Sequence, residues 1–511
     1  MNTSYFRQAF SIVFLAALFF IGLKEFLPKR IFPDASLPTT NVVVDSLMLE
    51  AISGTSTSKT TDSIAQTEIY LDTIITAENH KYLNLFFEKL EKLESLGEGK
   101  IRIGYFGDSM TDGDFIVQDL RQLFQDVFGG LGVGFVPITS ESAATRASIR
   151  HSYSQNWKTQ SFVNVKKPKY PFGVSGRVSS VKDSTGTAWV EYKASSQKHI
   201  SELYNPTLFY GASGNPKATV EILLNNDTTK ITKPLNSNKT LNALKLSDDN
   251  VKRVRLRFTN IDSIPIYGIN SDNNKGIHID NFSSRGNSGL PLSLLNAPLM
   301  QKFEKNLGIY DLIVLHFGAN VLNYGSLNYS WYVKGMTKVV QQLKACFPKA
   351  SILIISTADK ATKYETEMKT DLAVIPLANA QKKYAEETQS GFINLFQLMG
   401  GEGSMVKWVE SEPILATKDY THFNARGSKK IARLIYDELM KEYELFKQSY
   451  KKSSKNVQNE THTEETNNEI THTEIQKDST QTKLSKDSSK VKSEQNFVPK
   501  QEKEEKSEKM E

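Results

Sequence analysis

Short apolar runs alternate with amphipathic helical patterns along much of this chain, and that alternation restricts the fold more than any other feature. "IRIGYF" is a brief β run from Ile101, and "FIVQDLRQLFQDVF" follows it with Ile116, Leu120, Leu123, Phe124 and Val127 on one helical face. The pattern resumes at Asp311. "DLIVLHF" and "SILIIS" read as buried strands, each followed by a helix, "WYVKGMTKVVQQLKACF" and "LANAQKKYAEET". "GFINLF" is the last strand and "ARGSKKIARLIYDELMKEY" the last helix. Strands and helices in this order build βαβ units around a mainly parallel sheet. The expected core is an α/β domain built on that sheet.

Between the two halves the texture changes. From about Arg146 to Gly268 no helical pattern appears. "SGRVSSV", "TAWVEYKA", "PTLFYGAS", "KATVEILLN" and "KRVRLRFTN" are short runs separated by Gly, Asn, Asp and Pro. They read as an antiparallel β-sandwich inserted into the α/β domain. The domain is therefore expected over 81–145 and 270–447, with the insertion over 146–269. "YLNLFFEKLEKLESL" before it carries Leu83, Phe86, Phe87, Leu90 and Leu93 at helical spacing.

The two ends differ again. Ala9–Leu23 is continuously apolar and uncharged, nearer in length to a signal-peptide core than to the ~20 residues of a membrane-spanning helix. No small-x-small cleavage site or lipobox cysteine follows it, so residues 1–30 read as an uncleaved signal anchor, with cleavage as the alternative. Arg7 precedes the run and Lys24, Lys29 and Arg30 follow it, which by the positive-inside rule favours a cytoplasmic C-terminal side. Residues 31–80, rich in Ser, Thr and Asp, read as a spacer. Residues 448–511 are Lys, Glu, Ser, Thr and Gln with few apolar side chains, and read as a disordered tail in which His462 and His472 are incidental.

Composition excludes several function classes. A net charge of +6 spread over 511 residues, with no basic stripe interleaved with aromatics, does not fit nucleic-acid binding. The single cysteine, Cys346, excludes an intramolecular disulfide framework and a thiolate metal cluster, and reads as a small buried apolar residue.

The candidate site lies at the carboxyl ends of the strands, where an open α/β sheet carries its reactive loops. "IGYF" runs into "GDSM", which puts Ser109 at the tip of a tight turn before a helix N-terminus, a place that favours developing negative charge. A nucleophilic serine needs a base, and the base an orienting group. Of eight histidines, His422 in "KDYTHFNARG" stands three residues after Asp419, a spacing that lets the carboxylate reach Nδ1–H and leaves Nε2 free for the serine proton. An oxyanion needs donors. "HFGANVLNYG" offers the Asn320 amide at another strand end, "NFSSRGNSG" offers the unobstructed Gly286 N–H, and the Ser109 N–H is the third.

These blocks in this order resemble the SGNH (GDSL-type) hydrolase family. "GDSM" is similar to its first block, "SSRGNSG" to its second, "GAN" to its third and "DYTH" to its fifth, over about residues 98–145 and 270–445. The resemblance implies a three-layer, flavodoxin-like α/β fold, with Ser109, His422 and Asp419 as catalytic residues, and Ser109, Gly286 and Asn320 as the oxyanion hole. The second block aligns in more than one way, with Gly289 as the substitute for Gly286. The third departs from G-x-N-D, because Val321 replaces the aspartate. The insertion between the first and second blocks, and "FGGLGVGFVPI" after the first helix, are similar to bacterial peptidoglycan O-acetylesterases, whose core carries a carbohydrate-binding-module-like insertion.

That resemblance implies a serine esterase removing O-acetyl groups from an extracytoplasmic glycan, with peptidoglycan first. It needs no metal or organic cofactor, and its partners are an acetylated polysaccharide and, through the anchor, a membrane. The catalytic domain is then expected in the periplasm or outside the cell, which overrides the flanking charges. The alternatives are an esterase or acetyltransferase on another acetylated polysaccharide, or a non-catalytic, membrane-tethered glycan-binding protein. The insertion is expected to act as a substrate-positioning wall that a small ester does not need.

Other polar and aromatic residues have simpler readings. Asp108, Asp112 and Asp114 lack metal-ligand spacing and read as turn and cap residues. His316, within an apolar strand, reads as a satisfied core histidine. Trp157, Tyr170, Trp189 and Tyr204 serve equally as sandwich core or as sugar-stacking surface. Asn424 reads as the cap of the last helix, or as a support for the loop of the fifth block.

Overall fold

The structure is a computed structural model that describes residues 45–53, 80–181, 187–226, 229–322 and 327–473. The apolar run Ala9–Leu23 and most of the Ser/Thr-rich segment lie outside the described residues. No helix among the described residues is long and apolar enough to cross a membrane. The chain divides into two units at Ser449/Tyr450, and the side-chain contacts below belong to the first.

Five parallel strands, labelled β1 to β5 in chain order, form the central sheet: Lys100–Gly107, Gly276–Asn281, Leu312–His316, Ser351–Ile355 and Gly391–Ile393. Their spatial order is β2-β1-β3-β4-β5, the flavodoxin-like arrangement. Alternation along the strands feeds two hydrophobic layers. Ile101, Ile103, Tyr105, Leu312, Val314 and Leu353 face one layer; Phe106, Ile313, Leu315, Ile352 and Ile354 face the other.

Helices cover both faces. On the first lie α2 (Asn84–Leu96), α3 (Val117–Phe128) and α9 (Ala425–Thr473). On the second lie α4 (Ala297–Leu307), α5 (Ser330–Cys346) and α6 (Val374–Glu387), with α1 (Ser46–Ser53) docked through Met48. The short helices α7 (Leu395–Met399) and α8 (Ser404–Glu410) follow β5. Cys346 is buried and free, and burial pushes its thiol up to about 12.

Between α3 and β2 the chain forms antiparallel sheets of six and five strands. They share one hydrophobic cluster, built from residues such as Leu208, Ile266 and Ile269 of one sheet and Val190, Ile222 and Leu256 of the other. The first sheet also takes Gly134–Pro137, ahead of Arg146, and extends to Ser271. Its other face joins the α/β core, where Phe135, Phe209 and Tyr267 pack with Phe303 of α4. The glycine-rich link before it runs against β2: a Cβ at Gly130 would lie 2.4 Å from Ile277 O, and one at Gly134 2.2 Å from Asp280 Oδ1.

Three sequence expectations change. On α3, Val127 is exposed, and Arg121 is buried in its place because it pairs with Asp114 at 2.8 Å. The spacer contains α1, whose first turn is capped by Asp45 Oδ1 accepting from Leu47 N (3.0 Å) and Met48 N (3.2 Å). The backbone of α9 continues to Thr473, through a stretch of the expected disordered tail that holds neither Gly nor Pro.

Candidate active site

β1 delivers Ser109. The strand ends at Gly107, where a Cβ would lie 2.1 Å from Thr111 Oγ1 and 3.0 Å from Ser283 Oγ, so only glycine lets the second loop close over the turn. Asp108 then turns inward and is buried. Its Oδ1 accepts from Met110 N at 2.9 Å and its Oδ2 from Gly318 N at 3.1 Å. Burial pushes its carboxyl up to about 6, against these backbone bonds, which lower it. One side chain thus fixes the turn after β1 to the turn after β3, and leaves Ser109 half-buried at the sheet edge.

His422 arrives from the bend before α9. Asn424 caps that helix, with Oδ1 accepting from Gly427 N at 3.0 Å and Nδ2 donating to Ile414 O at 2.7 Å. Asp419 is over-determined: Oδ1 accepts from His422 N (3.0 Å), Thr421 N (3.0 Å) and Thr417 Oγ1 (2.6 Å). Its Oδ2 lies 2.7 Å from His422 Nδ1, and His422 Nε2 lies 3.1 Å from Ser109 Oγ. With the Nδ1 proton given to Asp419, Nε2 accepts from the serine hydroxyl. The hydrogen bond to Asp419 raises the imidazole above its usual value, more than burial and Arg285 lower it. Despite partial burial, the same bonds hold Asp419 well below the usual carboxylate range.

The expected oxyanion donors come to the same edge. Gly286, half-buried with φ +75°, lies on the loop after β2, which is tied to the nucleophile turn by Ser284 N donating to Gly107 O at 3.1 Å. Its own N–H has no hydrogen bond among the described residues. Gly289 N, by contrast, donates to Asn287 Oδ1 at 2.9 Å, and a Cβ there would lie 2.9 Å from Phe317. Gly289 is therefore part of the packing, and of the two glycines Gly286 is the one with a free N–H. Asn320 is half-buried, and its Nδ2 reaches Asn287 O at 3.4 Å, a long bond that a better acceptor can displace. Val321 is fully buried in the core; Asp108 supports this turn from the β1 side.

No family model matches the chain, and no curated protein matches it in sequence. Solved structures do match. One described as a peptidoglycan O-acetylesterase in action aligns with a TM-score of 0.58 and 21% identity, over 72% of this chain and 98% of that one. The chain has an SGNH hydrolase-like fold. An acetyl xylan esterase (TM-score 0.25, 20% identity, 32% of this chain and 81% of that one) matches a smaller part. So does a GDSL-like lipase from Bacteroides thetaiotaomicron (TM-score 0.22, 19% identity, 32% and 76%). Neither of these two adds to the fold assignment.

In this SGNH-like core the remaining candidates separate cleanly. His316 is buried, 2.7 Å from Tyr105 Oη, and burial lowers it to about 4, so it is a neutral core histidine. Trp157 and Tyr204 are buried, whereas Trp189 is half-buried under Arg255, 4.3 Å from its ring centre, and Tyr170 is half-buried. No group of His, Cys, Asp or Glu among the described residues is arranged to hold a metal ion.

Three supporting residues escaped the sequence reading. Asp108 was visible inside "GDSM" but reads there as a cap. Asp112 accepts from Arg285 Nε at 3.0 Å and from Ser142 Oγ at 2.9 Å, so it holds the second-block loop rather than a helix end. Asp45 accepts from Ser288 on that same loop. Its one signal is the Asp-Ser start of "DSLMLEAIS", a capping pattern hidden in a Ser/Thr-rich stretch.

Proposed function

We propose that this protein is a serine esterase that removes O-acetyl groups from an extracytoplasmic glycan, with peptidoglycan as the substrate. The observation that carries the reading is the Ser109–His422–Asp419 relay at the carboxyl edge of the sheet, with spacings of 3.1 and 2.7 Å. A cavity of about 10 Å3 beside it, lined by Met110, Ala319 and Leu322 and also by Asp108, Thr357, Asp359 and Lys360, has room for a group about the size of one water. The apolar run Ala9–Leu23 supports export, with the enzyme held at the membrane.

In this reading Ser109 Oγ attacks the acetyl carbonyl while His422 Nε2 takes its proton. The oxyanion is held by the N–H groups of Ser109 and Gly286 and by the Asn320 amide. Collapse breaks the ester bond, and the sugar alkoxide leaves with the proton from His422. A water, deprotonated by His422, then attacks the acetyl-enzyme and releases acetate. Asp419 holds the imidazole orientation and stabilises its cation.

Acetate release from purified O-acetylated peptidoglycan, set against acetylated xylan with Ser109→Ala as control, tests the proposal. Faster release from peptidoglycan, abolished in the variant, is expected. Release that survives Ser109→Ala, or none from either polymer, overturns the esterase reading; preference for xylan overturns the substrate.

A further inference from the structure

A second polar recess begins three residues beyond Ser109 and takes no part in the relay. Its volume is about 20 Å3. One wall is the turn from Asp112 to Asp114, and another is the end of β2 from Asn281 to Ser283. The antiparallel region supplies the third through Ser175 and Arg177.

The charges around it do not balance. Asp114 pairs with Arg121 at 2.8 Å and with Arg146 at 3.3 Å, and Asp112 pairs with Arg285 at 3.0 Å. Arg177, only 7% exposed, donates from Nη2 to Ser284 Oγ at 3.1 Å and meets no carboxylate among the described residues. Four guanidinium groups thus share two carboxylates. The excess is felt by buried His151: burial first, and then the fields of Arg146 and Arg177, hold its imidazole down to about 3. Ser175 Oγ also lines the recess; the residue is 3% exposed and its hydroxyl has no hydrogen-bond partner.

A buried cation without a counter-ion is costly, and so is a buried hydroxyl without a partner. One ligand relieves both: a carboxylate, with an oxygen for the guanidinium and one for the hydroxyl. A water needs ~10–15 Å3 on the same measure, so the recess takes the end of a substituent and not a sugar ring.

We propose that this recess is a carboxylate subsite, seating an acidic substituent of the glycan while the acetyl ester lies at Ser109. It rests on the esterase reading and narrows its substrate to an acetylated glycan with a carboxylate side group. The lactyl ether of N-acetylmuramic acid is such a group. Where a peptide is attached, that carboxylate is an amide, so the subsite favours strands without peptide.

Calorimetric titration of the full chain with N-acetylmuramic acid and with N-acetylglucosamine tests this, because the sugars differ only by the lactyl ether that carries the carboxylate. The acid is expected to bind about tenfold tighter, the worth of one charge-assisted pair. Arg177→Gln, checked for cooperative thermal unfolding, is expected to bring the ratio to about one. Equal affinities in the wild type, or a ratio that survives Arg177→Gln, overturn the subsite. If that variant does not fold, Ser175→Ala decides, since an unchanged ratio there also overturns it. Binding does not require turnover, so a wild type that hydrolyses no acetyl ester sinks the esterase reading while this ratio still reports on the recess.

Discussion

Asp45 and Ser288, 243 positions apart, share two hydrogen bonds: the Ser288 N–H donates to Asp45 Oδ2 at 3.2 Å, and the Ser288 hydroxyl donates to the same oxygen. Asp45 is 2% exposed. Its other oxygen caps α1, so one carboxylate ties the segment ahead of the α/β domain to the loop that carries Gly286. Asp45→Ala leaves buried donors unmet at roughly 1–3 kcal/mol each. The variant is expected to unfold at lower urea and to lose kcat on a small acetyl ester with little change in KM. A wild-type kcat would show that the loop holds its shape without this strap.

The strap was illegible in the sequence because its one local sign, the capping pattern at Asp45, says nothing of Ser288 243 positions away. The same holds for β2: "GIHIDN" puts His278 and Asp280 at positions that face protein, and the buried Asp280 is satisfied by distant partners, Arg102 at 2.7 Å, Tyr310 Oη at 2.6 Å and Phe135 N at 2.7 Å. β3 and β4 were legible because strands covered on both faces are apolar throughout. Ser109, Asp419 and His422 were legible because each pairs a local motif with a strand end or helix start. Arg177 and Ser175 gave no sign, since the recess is assembled from three distant segments.

Ser109→Ala and His422→Ala are each expected to lower turnover by several orders of magnitude. Neither should unfold the protein, since Ser109 is half-buried and the His422 side chain is 43% exposed. Thermal unfolding beside acetate release separates the two effects. More than a few per cent of residual activity in either variant would remove that residue from the relay.

In the proposed esterase the raised His422 imidazole sets the pH dependence of turnover. The base works only when neutral, so kcat/KM is expected to climb with pH through a value above the ordinary 6.5. Because the folded state favours the protonated ring, this pair's contribution to stability is present below 6.5 and is lost as pH rises through the raised value. Asp419→Asn removes the main cause of the rise. Its acid limb should move to lower pH, with kcat down by ~10⁴ as in comparable triads. Superimposable limbs in the two pH profiles would mean that the imidazole is tuned by something else.

Asn320 donates at 3.4 Å to Asn287 O and is not locked. As an oxyanion donor its loss is worth roughly 10²–10³ in kcat, or ~3 kcal/mol. Asn320→Ala is therefore expected to depress kcat by that factor while KM changes little. An unchanged kcat would indicate that the turn holding Val321 presents a different donor.

The antiparallel region was expected to be dispensable for a small ester, and its packing argues otherwise. Phe303 of α4 lies 5.9 Å from Phe209, 6.1 Å from Phe135 and 5.3 Å from Tyr267, ring centre to ring centre. Phe162, Phe172 and Val178 are buried in the same cluster. A single Phe→Ala in such a core costs ~3–5 kcal/mol, and a whole domain is stable by only ~5–15 kcal/mol. Replacing residues 149–259 with a Gly/Ser linker removes Phe162, Phe172, Phe209 and their neighbours at once and leaves Phe303 only Phe135 and Tyr267 of its three ring partners. The expected result is loss of cooperative unfolding, with hydrolysis of small ester and polymer lost together. Phe209→Ala is the graded version: it should lower the urea midpoint strongly and leave KM for a small ester near wild type. A linker variant that unfolds cooperatively and still cleaves the small ester would show that the α/β core stands alone, and that this face serves the substrate and not the fold.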